Sequence, residues 1–326
     1  MGALELVRRL AGSFWVRALV SIGLLALVAT QIDFGAIKDR LSGGSWWLFV
    51  LAAVVLFASF VVGAVRWRIF LRAAGIDATQ RRALDAYLIG TFTTNFLPTQ
   101  IGGDVTRALY VTGRGRWARA ATTVVVDRAS ALACMITVGW FLIALHPGPV
   151  SGQLYAALGS ATAAFVITVG LLLLLPRIRA VRRLLPSRAR PVAGEIRAAL
   201  AGCLSPPVLG RTFVIGLGFQ GLVYLSAWLV ARSISLDLPA SVLGATLAPV
   251  LILAAAPVSI GGYGVREGSF VLLLGYTGVT ATDATLFSLL QGASFALASL
   301  PGALVLLRRE PRPAAASARP AEPENR

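Results

Sequence analysis

The sequence predicts an all-α polytopic membrane protein with about six to eight transmembrane helices, in which one or two re-entrant, broken helices form an inverted repeat. Three observations predict it: an apolar composition with few charges, a succession of apolar runs long enough to cross a bilayer, and a proline- and glycine-broken pattern that occurs twice. Hydrophobic residues make up 57% of the chain and charged residues 13%, and the mean hydropathy is +0.78. Soluble domains carry about 25% charged residues. A chain of 326 residues could build a soluble core, so short length does not account for this apolarity, whereas lipid as the solvent does.

The balance of 30 Lys and Arg against 14 Asp and Glu, a net charge of +16, raises nucleic acid as a partner. No base-reading module accompanies it, and the basic residues lie between apolar runs, as cytoplasmic loops do in a bilayer protein. No nucleic acid is therefore expected. Cys134 lies in an apolar run and Cys203 in a basic loop, so no disulfide framework is expected. The lone His146, beside Pro147 in a short loop, cannot complete a Cys/His metal site, and neither a metal nor a cofactor is expected.

A span needs about 20 apolar residues. The first run, Phe14–Thr30, is flanked by Arg8, Arg9 and Arg17 in the charge order of a signal sequence. No small-x-small cleavage site follows it, so it reads as an uncleaved first helix. Further spans run Trp46–Val65, Ala118–Leu145, Leu154–Leu175, Val208–Ala231 and Ala284–Leu307. Two other apolar stretches are short or broken: Ala83–Leu97, stopped by Pro98, and Ala240–Tyr276, interrupted by Pro249, Pro257 and a glycine cluster. Residues 1–308 make the membrane domain. The tail 309–326, with Pro311, Pro313, Pro320 and Pro323, cannot bury a core and is expected to be a disordered cytoplasmic segment.

Arginine concentrates in the loop Arg66–Arg82, in the cluster Arg107, Arg114, Arg116 and Arg119, and between Arg177 and Arg197, whereas His146–Gly152 and Ser233–Pro239 hold no Lys or Arg. The positive-inside rule then puts both termini in the cytoplasm of a multi-pass inner- or plasma-membrane protein. Ala83–Leu97 begins and ends on one side under this assignment. Fifteen helical residues cover ~22 Å, so this piece is expected to dip in and return.

The repeated pattern is Pro98-Thr99-Gln100-Ile101-Gly102-Gly103-Asp104-Val105-Thr106-Arg107 and Pro257-Val258-Ser259-Ile260-Gly261-Gly262-Tyr263-Gly264-Val265-Arg266. Both read P-x-x-I-G-G-x-x-x-R. Proline ends a helix, because it lacks the N–H and clashes with the preceding turn. A glycine pair allows backbone angles and close approaches closed to other residues. Backbone groups freed in this way are tolerated at membrane depth only inside protein or along a wet cavity. By the charge count the two copies enter from opposite sides. The chain is then six spans with two hairpins, or eight spans with one hairpin if Gly268–Thr282 crosses fully. Paired broken segments in inverted halves mark a transporter's site.

Candidate substrate-binding residues follow from these copies and from the charges inside the third span. Arg107, Arg128 and Arg266 supply permanent positive charge suited to phosphate or carboxylate. Asp104, Asp127 and Glu267 are assigned to hold the arginines or to carry a proton. Gly102, Gly103, Gly261, Gly262 and Tyr263 shape the breaks made by Pro98 and Pro257. Asp127 and Arg128 are neighbours and point about 100° apart on a helix, so each needs a partner elsewhere. Asp104 and Arg107 can meet if their stretch is helical. Arg107 also reads as an ordinary arginine near a basic loop, whereas Arg266 lies deep between apolar runs. Asn95, Gln100, Gln220, Tyr224 and Gln291 serve either a cavity or interhelical hydrogen bonds.

The residues Arg66-Trp67-Arg68, Asn95-Phe96-Leu97-Pro98, Gly102-Gly103-Asp104, Arg107, Asp127-Arg128 and Pro257-x-x-Ile260-Gly261-Gly262-x-Gly264-x-Arg266-Glu267 resemble the transmembrane region of lysylphosphatidylglycerol synthases. That region also occurs alone, as flippase-like membrane proteins of the YbhN (UPF0104) type. The resemblance covers about residues 10–308. It implies lipid translocation, and in the absence of a soluble synthase domain it does not imply aminoacyl transfer. The expected partner is a membrane lipid with an anionic phospho- or polyprenyl-linked headgroup, and a homo-oligomer stays open. No G-x-S-x-G elbow, P-loop or dinucleotide fingerprint is present, so the chain is not expected to be an enzyme. The alternative is a membrane-embedded enzyme or scaffold subunit of envelope lipid or glycolipid synthesis.

Overall fold

Uninterrupted apolar runs build long helices here, and each proline–glycine break leaves short ones. The computed structural model describes residues 42–96, 100–112, 116–146, 148, 150–174, 190–255 and 262–308, with isolated positions 23, 30, 33 and 35. Ten helices are traced among the described residues. They are α1 Trp46–Ala73, α2 Gln80–Phe96, α3 Gln100–Thr112, α4 Trp117–Leu145, α5 Gly152–Leu174, α6 Arg190–Cys203, α7 Pro206–Ser233, α8 Ala240–Ala254, α9 Val265–Gly275 and α10 Ala281–Leu307. The expected span Phe14–Thr30 falls almost wholly outside the described residues, and the tail 309–326 lies outside them.

Five helices are long and apolar enough to cross a membrane: α1, α4, α5, α7 and α10. Their 23 to 29 residues extend ~35–44 Å, beyond the ~30 Å hydrocarbon core. The protein is thus an all-helical, polytopic membrane protein. The hairpin helices are too short to cross alone. α2, α3, α8 and α9 hold 17, 13, 15 and 11 residues.

The helices α2 and α3 form an antiparallel hairpin. Arg82, near the start of α2, donates to the Tyr110 carbonyl near the end of α3 at 3.3 Å, and Gly90 meets Gly103 between them. Pro98 lies outside the described residues. The second break behaves alike. α8 ends at Ala254, Pro257 and Gly261 fall in the undescribed segment 256–261, and α9 starts at Val265 and packs back on α8. A turn through Gly278, at φ +83°, separates α9 from α10. The stretch Gly268–Thr282 is therefore not one continuous helix.

The run α1–α4 matches α7–α10 element by element, at 28, 17, 13 and 29 residues against 28, 15, 11 and 27. The match extends to single residues. Gly75 and Ser235 both adopt positive φ, +76° and +55°, each 29 residues past the start of its helix (75 − 46 and 235 − 206). At both turns the residue that follows donates back to the last helical turn, Ile76 to Leu71 and Leu236 to Ala231, each at 2.9 Å. Glycine takes this conformation freely, while serine is strained in it.

α1 and α7 pack antiparallel at the centre. The Ser45 N–H donates to the Ser233 carbonyl at 2.8 Å, and the Ser226 hydroxyl donates to the Ala52 carbonyl at 2.9 Å. The last helix of each run clasps the hairpin of the other. α4 crosses α8 where Gly139 faces Gly244, and α10 crosses α2 where Gly302 faces the Leu88 carbonyl. Without a hydrophobic force between helices in lipid, such close backbone packing carries association. One core spans α4, α7, α8, α9 and α10 around Tyr224, Leu243, Phe270 and Phe287, and a second joins α1–α4 around Phe60, Trp67 and Tyr87.

Arginines gather at one end. Arg68 donates to the Ala78 carbonyl, Arg116 to the Gly75 carbonyl, and Arg119 lies against Gly75. The opposite end carries the exposed Trp46 and Trp47 beside the Ser45–Ser233 contact, an aromatic belt position. Two residues expected in basic loops are buried in helices instead. Arg66 lies inside α1, which continues to Ala73 because Ala64, Trp67, Phe70 and Leu71 extend its buried face. Cys203 is the last residue of α6, where it donates to the Phe70 carbonyl at 3.5 Å. Burial pushes its thiol up to about 11.

A Cβ added at Gly139 would sit 2.5 Å from the Gly244 carbonyl oxygen, whereas nothing lies within 4 Å of one at Gly159. Gly139→Ala should therefore cost ~1–3 kcal/mol through overpacking, and Gly159→Ala should stay within ~0.5 kcal/mol. The check is the temperature at which half of the detergent-solubilised protein loses its monodisperse elution peak, lowered in the first variant and unchanged in the second.

Candidate functional site

An ionised group inside an apolar bundle needs an opposite charge within reach. The described residues of α1, α3 and α4 meet this demand with a chain of five side chains. Arg66, fully buried in α1, donates from Nε and Nη2 to Asp127 Oδ1 of α4 at 3.0 and 2.8 Å. Asp127 Oδ2 accepts from Arg107 Nη1 of α3 at 3.2 Å. Arg107 Nε faces Asp104 Oδ1 at 3.2 Å, and Asp104 Oδ2 accepts from Arg128 Nε.

The order Arg66–Asp127–Arg107–Asp104–Arg128 runs from the interior outwards. Arg107 is 5% exposed and Asp127 2%, whereas the Arg128 side chain is 49% exposed. Helix geometry sets this gradient. Asp104 and Arg107 share a face of α3 at i and i+3, and Asp127 and Arg128 diverge on α4, one inward and one outward. Aromatic rings line the buried part. Arg66 lies over Phe219 at 4.9 Å, and Arg107 lies against Trp67 at 4.9 Å and Tyr87 at 5.2 Å. The Trp67 indole N–H is itself satisfied by Thr123 Oγ1 at 3.1 Å.

The glycines of the first motif serve this assembly. Gly103 packs onto the Gly90 carbonyl and Thr94 Oγ1, where any side chain would push α3 off α2. The Gly102 carbonyl accepts from Thr106 Oγ1 at 2.8 Å. Close packing of the hairpin is what brings Arg107 to Asp127.

The second motif builds a smaller group. Gly262 and Gly264 both take φ +82°, which turns the chain into α9. The buried Glu267 carboxylate accepts from the Gly264 N–H at 2.6 Å, from Arg266 Nη2 at 2.7 Å and from Ser288 Oγ at 3.4 Å. Arg266 lies over the Tyr263 ring at 5.5 Å and against Gly292 of α10, with 23% of its side chain exposed. Gly261, Pro98 and Pro257 lie outside the described residues.

Arg107 and Arg266, the matched arginines of the two copies, sit in separate groups. Among the described residues no hydrogen bond or ion pair joins the two groups. Arg107 sits about one turn inside the Arg82–Tyr110 contact at the arginine-rich end. Arg266 meets Gly292, fifteen residues before the end of α10 at Leu307, ~22 Å along the helix. Arg107 is also the more buried of the two, the reverse of its reading as a near-loop arginine.

Sequence reasoning missed Arg66, Trp67 and Tyr87 as members of the site. Arg66 was assigned to a loop. Its spacing from Gly63, Trp67 and Phe70 places it on the buried face of a helix, a signal available once α1 is extended past Val65. Two of the polar residues make interhelical hydrogen bonds. Gln220 Nε2 donates to the Ala131 carbonyl at 2.7 Å, and the Tyr224 hydroxyl donates to the Met135 carbonyl at 3.2 Å. The side chains of Asn95 and Gln100 lie outside the described residues.

Comparison with known proteins places the chain. The family described as the lysylphosphatidylglycerol synthase TM region matches residues 14–302. A UPF0104 membrane protein of Methanothermobacter thermautotrophicus is 34% identical over 116 residues, covering 34% of this chain and 34% of the relative. A UPF0104 membrane protein of Pyrococcus horikoshii is 28% identical over 85 residues, covering 24% of this chain and 25% of the relative. The chain thus aligns with about a quarter to a third of these relatives' length. No solved structure matches it.

Removing one partner of a buried ion pair leaves an uncompensated charge and costs ~3–5 kcal/mol. Asp127→Asn should destabilise by that amount, since it strands Arg66 and leaves Arg107 only Asp104. Adding Arg66→Met should recover part of the loss. Thermal unfolding of the purified protein in detergent checks both, and an Asp127→Asn variant as stable as the parent would remove the chain's structural role.

Proposed function

We propose, from the premise that this chain belongs to the family of the lysylphosphatidylglycerol synthase TM region, that it moves lipids with an anionic headgroup between the leaflets of a membrane. The observation that carries the reading is the chain of five charges at the base of the α2–α3 hairpin, buried at Arg66 and half-exposed at Arg128. Intramembrane ionisable residues on this scale mark substrate or ion pathways.

The roles divide by exposure. Arg107 already faces two carboxylates, so it positions the hairpin and does not receive a headgroup in this conformation. Among the described residues Arg128 donates from Nε to Asp104, and about half of its side chain is exposed. A phosphate is held there by charge-assisted hydrogen bonds. Arg266, at a different depth and partly exposed, is a second station on the path. The matched runs α1–α4 and α7–α10, with α1 antiparallel to α7, are read as an inverted repeat whose hairpins are re-entrant. The arginine-rich end faces the cytoplasm of the cell membrane, and both termini lie there. The hairpins rock so that the headgroup crosses along protein while the acyl tails stay in lipid. No bond in the lipid is made or broken, so the protein is a transporter and not an enzyme.

Proteoliposomes with a fluorescent anionic phospholipid test this through leaflet exchange. Exchange should exceed that of protein-free vesicles. Arg128→Ala should slow it by roughly tenfold or more, as the loss of a charge-assisted bond worth ~1.5–3 kcal/mol implies. Equal rates for the parent, Arg128→Ala and Arg266→Ala would count against the reading.

A further inference from the structure

The five-residue chain holds three arginines and two aspartates, and the charges do not cancel. Arg66, Arg107 and Arg128 contribute +3 against −2 from Asp104 and Asp127, leaving +1. Tyr87 sits beside this chain, with the Arg107 guanidinium 5.2 Å from its ring. Among the described residues two donors of the chain are also unused. Arg66 Nη1 is buried without a hydrogen-bond partner, and Arg107 Nε is buried with only a poorly aligned approach to Asp104.

The second hairpin does not share this excess. Arg266 and Glu267 cancel each other. Ser226 stands 160 residues on from Arg66, and Tyr263 stands 159 on from Asp104, so the partners that build the first chain are uncharged in the matching run. Among the described residues the five-residue chain therefore carries one uncancelled positive charge, and Arg128 is its accessible end.

We infer that this single excess charge selects the headgroup, so that the transported lipid is a phosphodiester with one net negative charge. The inference rests on the transport reading above and specifies its substrate class. A monoanionic diester on Arg128 brings the site to neutrality, the state that a low-dielectric surrounding favours. A zwitterionic headgroup leaves the site at +1. A phosphomonoester carries close to two negative charges above neutral pH and leaves it near −1. Asp104 is the tuning residue, because it already occupies one edge of Arg128 and sets how much charge remains for the ligand.

The test uses phosphatidylcholine vesicles containing the full chain and a trace of one acyl-labelled lipid at pH 8. The labelled lipids are phosphatidylglycerol at −1, phosphatidylcholine at 0 and phosphatidic acid near −2. The parent should exchange phosphatidylglycerol at least severalfold faster than the other two. Asp104→Asn, which raises the site to +2, should move the preference towards phosphatidic acid. Arg128→Gln, which lowers it to 0, should move it towards phosphatidylcholine. The opposite directions separate charge selection from a general loss of fold, and the half-exposed position of Arg128 keeps that variant informative if Asp104→Asn does not fold. Exchange with the same ranking in the parent and the folded variants overturns charge selection and leaves transport standing. Exchange of every lipid at the protein-free rate overturns the transport reading itself, and this inference with it.

Discussion

The Asp127 carboxylate joins three helices at one point. One of its oxygens takes two bonds from Arg66 of α1 and the other takes one from Arg107 of α3, while its backbone belongs to α4. In the buried part of the chain each charge has its counter-charge within about 3 Å, and separating such a pair leaves an uncompensated charge in an apolar interior. The hairpin is thereby pinned to the bundle by electrostatics at its base and by glycine-mediated contact along its length.

Packing then links this pinned unit to the rest. α10 closes on α2 at Gly302 and Leu88, and α4 closes on α8 at Gly139 and Gly244. Each hairpin rests against the final helix of the other run, so neither shifts without disturbing a close backbone contact in the matching half. Closely packed interfaces of this kind switch between discrete arrangements and do not deform continuously. In the proposed transport cycle both hairpins move together. The two halves nevertheless differ in charge. The first stores an ion chain with a positive excess, and the second carries a self-cancelling Arg266–Glu267 pair fixed by the Gly264 N–H and Ser288.

The family match over residues 14–302 and the helical architecture bear out the sequence's account of class and kinship. Helices α4, α5, α7 and α10 begin and end within about three residues of the apolar runs that announced them, because apolar length is a local property. The interruptions between Phe96 and Gln100 and between Ala254 and Val265 were equally legible, since proline and glycine act on their own backbone. Partner assignment within the charges was partly legible. The Asp104–Arg107 approach follows from i, i+3 spacing, and the need of Asp127 and Arg128 for separate partners follows from their 100° divergence.

By itself, then, the sequence determined the membrane class, the positions of the spans and breaks, the twofold motif and the identity of the charged residues. Each of these depends on the nature of a residue and its near neighbours. Only the tertiary structure decided that Arg66 is a core residue of the site, that Asp127 bridges two arginines from other helices, and that Arg107 and Arg266 serve separate groups. These outcomes depend on contacts across 20 or more positions, such as the 61 between Arg66 and Asp127. A local pattern states that a buried charge must be paired, but which partner reaches it is set by how closely the glycines let α2, α3 and α4 approach.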